Sequence, residues 1–297
     1  MRIVARQMGE FLGNLLHFIR IKHWIKNGFV FLPLFFAGKI YSDFDLNLIF
    51  LFLSFSLAAS AIYVVNDIFD LETDKKHQEN QLRPLAKGYF SLKFAWTLFV
   101  ILSVLFFVSY FLIGKSFFFV LIYFCLNICY SLFLKKISIV DVSCISLGFV
   151  LRVLAGGFIA EVFVSHWMII IVFLLTISIA FSKRRHDFAQ SGSDETLVKN
   201  GYSIQFLDIA KSISFSITLI SYILYSISSE VIERIGSDKL YITSFFVFLG
   251  IMRYIQITVI DKNSGSPINV LWKDRFLQIT LFLWCVTFLI IIYGKNF

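Results

Sequence analysis

Residues 46–74 read LNLIFLFLSFSLAASAIYVVNDIFDLETD: an apolar run that turns acidic at its end with no glycine or proline between. About 20 mainly apolar residues suffice to cross the hydrocarbon core of a bilayer as a helix, so the run reads as a membrane span. Its last turns carry Asn66-Asp67-Ile68-Phe69-Asp70-Leu71-Glu72-Thr73-Asp74. If the helix continues, Asp67, Asp70 and Asp74 fall at i, i+3 and i+7 on one face, with Asn66 beside Asp70 at i+4. Carboxylates so close repel unless a cation sits among them. Hard oxygen donors, few in number, suit Mg²⁺, which keeps part of its water and binds through carboxylates together with substrate phosphates. The plainer alternative is a solvated acidic helix end that holds nothing.

The same kind of run recurs along the chain. Of its 297 residues 58% are hydrophobic and 15% charged, and the mean hydropathy is +0.81, far from a soluble domain. Apolar windows bounded by charge or turn residues predict nine helices, near residues 27–41, 47–66, 92–112, 116–134, 138–160, 166–183, 208–229, 240–260 and 276–293. The expected fold class is therefore an all-α membrane protein, a single helical domain over 1–297. The segment before the first span sets Phe11, Leu12, Leu15, Leu16, Phe18 and Ile19 among polar residues at helical spacing. It reads as an interfacial helix or as the first turns of a long first span, and it lacks the apolar centre and cleavage site of a signal peptide.

Orientation follows from the distribution of Lys and Arg. In the nine-span reading one side takes Arg2, Arg6, Arg20, Lys22, Lys26, the group from Lys75 to Lys93, Lys135, Lys136, the group from Lys183 to Lys211 and the group from Arg253 to Arg275. The other takes Lys39, Lys115, Arg234, Lys239 and Lys295. The N-terminus is thus expected in the cytoplasm, the C-terminus outside, and the chain in the inner (cell) membrane. The net charge of +8 is what this asymmetry and attraction to anionic headgroups require, so nucleic acid is set aside. Two long loops, 66–91 and 184–207, lie on the cytoplasmic side, where function tends to reside; they are expected to cap an active site there.

Several constellations join the acidic face in that compartment. Lys75, Lys76, Arg83, Pro84 and Lys87 follow it, and basic residues beside a metal site suit the remaining oxygens of a phosphoryl ligand; alone they are ordinary topogenic charges. Arg152 lies inside an apolar stretch, where a charge needs a partner or a ligand. Asp141, about three turns away on the same predicted helix, is too far for direct contact. Ser182-Lys183-Arg184-Arg185-His186-Asp187 closes the sixth span, with Tyr202 in the loop that follows. Arg20-Ile21-Lys22-His23-Trp24-Ile25-Lys26-Asn27 sits at the first interface, where tryptophan anchoring and snorkelling lysines are the bland reading. The four cysteines all lie in apolar runs without zinc-like spacing. No Ser-His-carboxylate set or glycine-rich phosphate loop is present.

On these residues the chain resembles the UbiA-type superfamily of intramembrane prenyltransferases, whose NDxxDxxxD motif matches Asn66 to Asp74. More narrowly, Arg20 to Asn27, Arg83-Pro84-Leu85-Ala86-Lys87-Gly88, Tyr130-Ser131 with Lys135, Arg152 with Ala155-Gly156-Gly157, Lys183-Arg184 and Arg253-Tyr254 look like the branch that makes decaprenylphosphoryl-phosphoribose. Aromatic prenyltransferases of the superfamily carry a second motif, DxxxD, after the sixth helix; here that place is basic. Asp187 stands where the branch has Glu, and Ile21 where it has Pro. The resemblance implies a nine-helix UbiA-type bundle and Mg²⁺-dependent transfer of 5-phosphoribose from phosphoribosyl diphosphate to a polyprenyl phosphate. It assigns Asn66, Asp67, Asp70 and Asp74 to the metal and diphosphate, the three aspartates being the catalytic set. Lys22, Lys26, Asn27, Asn66, Arg83, Lys135, Arg152, Lys183, Arg184 and Tyr202 would bind phosphates and ribose. The rivals are a prenyltransferase moving an isoprenoid from its diphosphate to an aromatic or other small acceptor, and a non-catalytic lipid or small-molecule transporter. The sequence leaves the oligomeric state open.

Overall fold

The computed structural model describes residues 2–39, 45–76, 80–190, 201–260 and 267–293. These form helices joined by turns: α1 (Arg2–Phe18), α2 (Leu46–Phe69), α3 (Leu92–Val108), α4 (Phe117–Leu132), α5 (Val140–Ile159), α6 (His166–Gln190), α7 (Ile204–Ile227), α8 (Thr243–Val259) and α9 (Arg275–Tyr293), with shorter pieces between them. In lipid every backbone polar group needs an internal partner, which apolar sequences of this length meet as helices. Their starts are fixed locally. The carboxylate of Asp45 accepts from the amide of Asn47 (2.9 Å), Ser91 Oγ from Phe94 (3.2 Å), Ser203 Oγ from Phe206 (3.1 Å) and Asp274 from Leu277 (2.8 Å), each satisfying an orphan donor of a first turn.

Among the described residues seven helical stretches are long and apolar enough to cross a membrane: α2, Leu92–Leu132, α5, His166–Ala189, α7, Lys239–Val259 and α9. The second has 41 residues, about 60 Å if straight and twice the hydrocarbon core. It is not straight. Gly114 breaks it with φ +53°, and the ring of Phe106 stacks on both Phe117 and Phe124 at 4.9 Å. Phe106 and Phe124 would lie about 27 Å apart on one straight helix, so α3 and α4 double back on each other. The stretch expected as a first span, 27–41, departs from a simple helix. It is a 3-10 helix, Ile21–Phe31, followed by the five-residue α-helix Leu32–Phe36, and residues 40–44 lie outside the described ones.

The 3-10 helix has a geometric reason. It repeats every three residues and rises about 2 Å per residue, so residues 24 and 27 share a face about 6 Å apart. Ser60 and Ser56, four residues apart on α2, are separated by the same 6 Å. Trp24 Nε1 donates to Ser60 Oγ (3.0 Å) and Asn27 Nδ2 to Ser56 Oγ (2.9 Å). Val30, next on that face, is fully buried, and its carbonyl oxygen would lie 1.9 Å from a Cβ at Gly156. Only glycine lets α5 approach that backbone.

The chain divides into two compact units. The first comprises 1–33, 44–132 and 151–162. Its core of Phe18, Ala61, Val64, Leu85, Phe90, Ala95 and Leu102 ties the end of α1, the loop before α3, α2 and α3 together, with Phe90 stacked on Phe18 (5.4 Å) and Phe94 (4.6 Å). The small buried residues Ser54, Ser56, Ala58, Ala59, Ser60 and Ala61 on α2 allow neighbours to approach closely. The second unit comprises 34–43, 133–150 and 163–297. One of its cores joins Val142, Ile177, Ala180, Phe181, Phe188, Tyr202 and Leu207. Another is aromatic, with Phe288 stacked on Phe35 (4.8 Å) and Trp284 (5.5 Å).

Candidate active site

In the first unit α2 ends at Phe69; Asp70 leaves helical geometry (φ −92°, ψ 4°) and Leu71–Asp74 resumes as a short helix. The four-residue ladder nevertheless runs through the joint, from Asp70 N to Asn66 O (2.9 Å) and Asp74 N to Asp70 O (2.8 Å). Asp67 and Asp74 therefore stay on one side, as the i, i+7 spacing predicts, and both are buried (2% and 3% exposed). One nitrogen, Arg83 Nη1, reaches both carboxylates: Asp67 Oδ1 at 3.2 Å and Asp74 Oδ2 at 2.5 Å. Arg20 Nη2 adds a second ion pair to Asp67 Oδ1 at 2.5 Å. Asp70 is held differently, accepting from Asn66 Nδ2 at 3.0 Å.

Local sequence explains how these arginines arrive. Arg83-Pro84-Leu85-Ala86-Lys87-Gly88 folds into a compact turn, with amide bonds from Lys87 to Arg83 O, Gly88 to Leu85 O and Tyr89 to Pro84 O. Gly88 adopts φ +77°, and the buried side chains of Leu85 and Phe90 seat the loop on the core. Arg20 takes φ 53°, ψ 49°, a left-handed conformation that costs a non-glycine residue about 1 kcal/mol or more. It swings the chain from α1 into the 3-10 helix and lays its guanidinium 4.5 Å over the ring of Tyr63.

Arg152 in the same unit is also buried, 5% exposed. Its Nε donates to Asn27 Oδ1 (2.8 Å) and its Nη2 to Tyr123 OH (3.0 Å), while the guanidinium lies 4.4 Å from the Tyr123 ring centroid. Asp141 is not its partner, in keeping with the sequence spacing. Lys26, outside the membrane-length helices, has no carboxylate paired with it among the described residues. Burial first, then the guanidiniums of Arg152 and Arg20, pull its ammonium down to about 8. Lys22 is exposed.

The second unit holds the remaining expected residues in a different arrangement. Arg184 Nε pairs with Asp141 Oδ2 at 2.7 Å, and Tyr202 OH donates to Asp141 Oδ1 at 2.5 Å. The same hydroxyl accepts from the amide of Ile139 at 2.6 Å, at a β-branched residue with φ +69°. Burial, and then the hydrogen bond to Asp141, push the Tyr202 phenol well above its usual range. Gly201 has φ +77°, and a Cβ there would meet Ser138 Oγ at 2.6 Å, so the turn before Tyr202 requires glycine. Lys183, adjacent to Arg184, is exposed, and Lys135 is half-buried in the short 3-10 helix Leu134–Lys136. Arg185 and the buried Lys211 both pair with Asp208 at 2.7 Å. Residues 191–200 of the expected loop 184–207 lie outside the described residues.

The structure thus brings Asp67, Asp74 and Arg83 together, sets Asn27 on Arg152, and joins Arg184 to Tyr202 through Asp141. Arg20, Tyr123 and Asp141 were not among the expected site residues. Arg20 has a signal only in opening the stretch Arg20 to Asn27 that the resemblance singles out; it stands outside the three-residue period of Trp24, Asn27 and Val30. Tyr123 has none, being one aromatic in an apolar run.

Does the acidic end suit a divalent cation? Its donors are carboxylate and amide oxygens, the kind Mg²⁺ takes, and two of the carboxylates converge on one point. Among the described residues no three acidic, histidine or cysteine side chains cluster tightly enough to hold a metal by themselves. That is compatible with Mg²⁺, which commonly uses one or two carboxylates, water and substrate phosphates. The donor chemistry fits, with Arg83 now at the point of convergence.

The family model described as UbiA prenyltransferase matches residues 28–286. Among curated proteins, decaprenyl-phosphate phosphoribosyltransferase of Mycolicibacterium smegmatis is 26% identical over 291 residues, covering 93% of this chain and 91% of that protein. The protein of the same name from Corynebacterium glutamicum is 25% identical, covering 93% and 85%. Among solved structures, a UbiA homolog from Archaeoglobus fulgidus bound to GPP and Mg²⁺ superposes with a TM-score of 0.65 at 18% identity, over 95% of this chain and 98% of that one. At that identity the likeness concerns the fold.

Proposed function

The chain belongs to the UbiA prenyltransferase family, and we propose that within it this member transfers 5-phosphoribose from phosphoribosyl diphosphate to a polyprenyl phosphate, releasing diphosphate. The observation that carries this reading is the buried pair Asp67 and Asp74 at the end of a membrane span, meeting Arg83 and Arg20. Such a set offers oxygen donors for a metal-bound diphosphate and guanidinium donors for its oxygens. Two further points support the phosphoribosyl reading over isoprenoid transfer. The relatives so named align over nearly the whole chain, and Lys183-Arg184-Arg185 stand where a second acidic motif would hold another metal.

Asn66, Asp67, Asp70 and Asp74 would hold Mg²⁺, which when bound neutralises the charge of the departing diphosphate. Arg83 donates to diphosphate oxygens. Lys26 and Arg152, two neighbouring cations in the first unit, take a phosphate group, with Asn27 orienting Arg152. Lys22, Lys135, Lys183 and Arg184 serve the remaining phosphate and ribose oxygens, and Tyr202 acts by fixing Arg184 through Asp141. The acceptor phosphate is already ionised near neutral pH and needs no general base. Its oxygen bonds to the anomeric carbon as the bond to diphosphate breaks, so the protein's work is placement and electrostatic stabilisation.

The cytoplasmic rim of the inner membrane is the proposed site of the reaction, with the N-terminus inside and nine crossings. These are the seven membrane-length helices, the extra crossing made by the α3–α4 reversal, and the first crossing at 27–41. Purified protein in detergent, given labelled phosphoribosyl diphosphate with polyprenyl phosphate, should move label into lipid only when Mg²⁺ is present. Given prenyl diphosphate with an aromatic acid it should transfer nothing; transfer in that second pairing alone would reverse the assignment.

A further inference from the structure

The position of Arg83 suggests more than a diphosphate contact. A single nitrogen of its guanidinium touches both carboxylates that converge at the end of α2, the point where a divalent cation would have to sit. Arg20 already compensates Asp67 from the other side. A bare divalent cation entering here must displace Arg83, tethered by a seated loop and only a quarter exposed, without bringing it any acceptor beyond water, and two like charges then share a small space. A metal–diphosphate complex presents the opposite situation. It brings phosphate oxygens that give Arg83 acceptors at least as good as the ones it leaves, and a guanidinium binds such oxygens with two parallel donors.

We propose that Arg83 is a placeholder cation: it occupies the metal position until substrate arrives, so that the metal enters together with diphosphate and is not stably held alone. This rests on the reading of the acidic end as a metal–diphosphate site and adds an order of binding to it. The consequence is protective. Two buried carboxylates never face each other uncompensated between turnovers, and the metal site forms only when the leaving group is there to use it.

The test is heat unfolding of the full chain in detergent with Mg²⁺ alone, inorganic diphosphate alone, and both, since a ligand that binds the folded state raises the unfolding temperature. Wild-type protein should respond strongly to the pair and little to Mg²⁺ alone. Arg83→Gln should respond to Mg²⁺ alone, with an apparent affinity about tenfold above wild type, the fold-change expected for losing one charged competitor. Lys93→Gln removes one positive charge from an exposed side chain in the first turn of α3 and should behave as wild type. Wild-type protein stabilised by Mg²⁺ alone as much as by the pair overturns the placeholder, and that arm decides even if Arg83→Gln fails to fold. Equal gains in Arg83→Gln and Lys93→Gln overturn it too, because the effect is then general electrostatics. No stabilisation by any combination in either wild type or Arg83→Gln removes the metal–diphosphate site itself, and the placeholder with it.

Discussion

Two buried aspartates, Asp67 in the first unit and Asp141 in the second, meet arginine at similar distances and do different things. Asp67 shares Arg83 with Asp74 and takes a second guanidinium from Arg20. Its contacts are overlapping, and a ligand carrying charge could replace one of them. Asp141 takes Arg184 on one oxygen and Tyr202 on the other, and the tyrosine hydroxyl is held in turn by a backbone amide. That network ties residues 139–141, 184 and 202 into one knot. A carboxylate–arginine pair is therefore no sign of function by itself; what matters is whether the partners are shared or saturated.

The contrast breaks most visibly on substitution. Asp67→Ala should lower turnover by about a thousandfold, the scale of losing a group that stabilises transition-state charge, while the protein stays inserted and monodisperse; substantial turnover in purified Asp67→Ala would mean the two aspartates do not differ in kind. Asp141→Asn should do the reverse, lowering stability by about 3 kcal/mol because an arginine loses its buried partner. Heat unfolding reads that loss; kcat per folded molecule should stay within a few-fold of wild type, while KM for the phosphorylated substrates rises because Arg184 loses its anchor. A smaller effect belongs to Tyr202→Phe, which removes one hydrogen bond to a charged group and should cost about 1–2 kcal/mol. Here the KM for the phosphorylated substrates is the sharper readout, since a Tyr202 that touched substrate would move KM before stability.

The smallest expected effect is one of pH. The folded protein holds the Lys26 ammonium down at about 8, so the charged form that binds an anion is complete below that value and is lost as pH rises through it. KM for the phosphorylated substrates should climb severalfold between pH 7.5 and 9. In Lys26→Arg, whose guanidinium does not titrate in this range, the climb should vanish; an unchanged climb would place the titrating group elsewhere.

Several parts of this design are legible in the chain. The apolar runs and the acidic face from Asn66 to Asp74 follow from period and hydrophobicity, and the structure keeps Asp67 and Asp74 on one side. The segment from Arg83 to Gly88 carries its own turn signals in Pro84 and Gly88. The 3-10 helix over Ile21–Phe31 was not legible, because its period of three is imposed by the serines of α2 and resembles the start of an ordinary span. Nor was Asp141 legible as a partner of Arg184, since one carboxylate near the start of a span has many cations within reach of a folded chain.

Sequence alone determined what depends on additive, local quantities: that the chain lives in a membrane, roughly where its helices other than the one expected at 27–41 lie, and which short motif is acidic. Tertiary structure alone decided which charged and polar groups meet. Arg20 reaches Asp67 across 47 residues, Arg184 reaches Asp141 across 43, and Arg152 reaches Asn27 across 125. Pairings over such separations depend on how whole helices dock, set by small residues such as Gly156 against Val30 and by aromatic stacks such as Phe18 on Phe90. Inside a low-dielectric medium the charges must then take whatever partners that packing delivers.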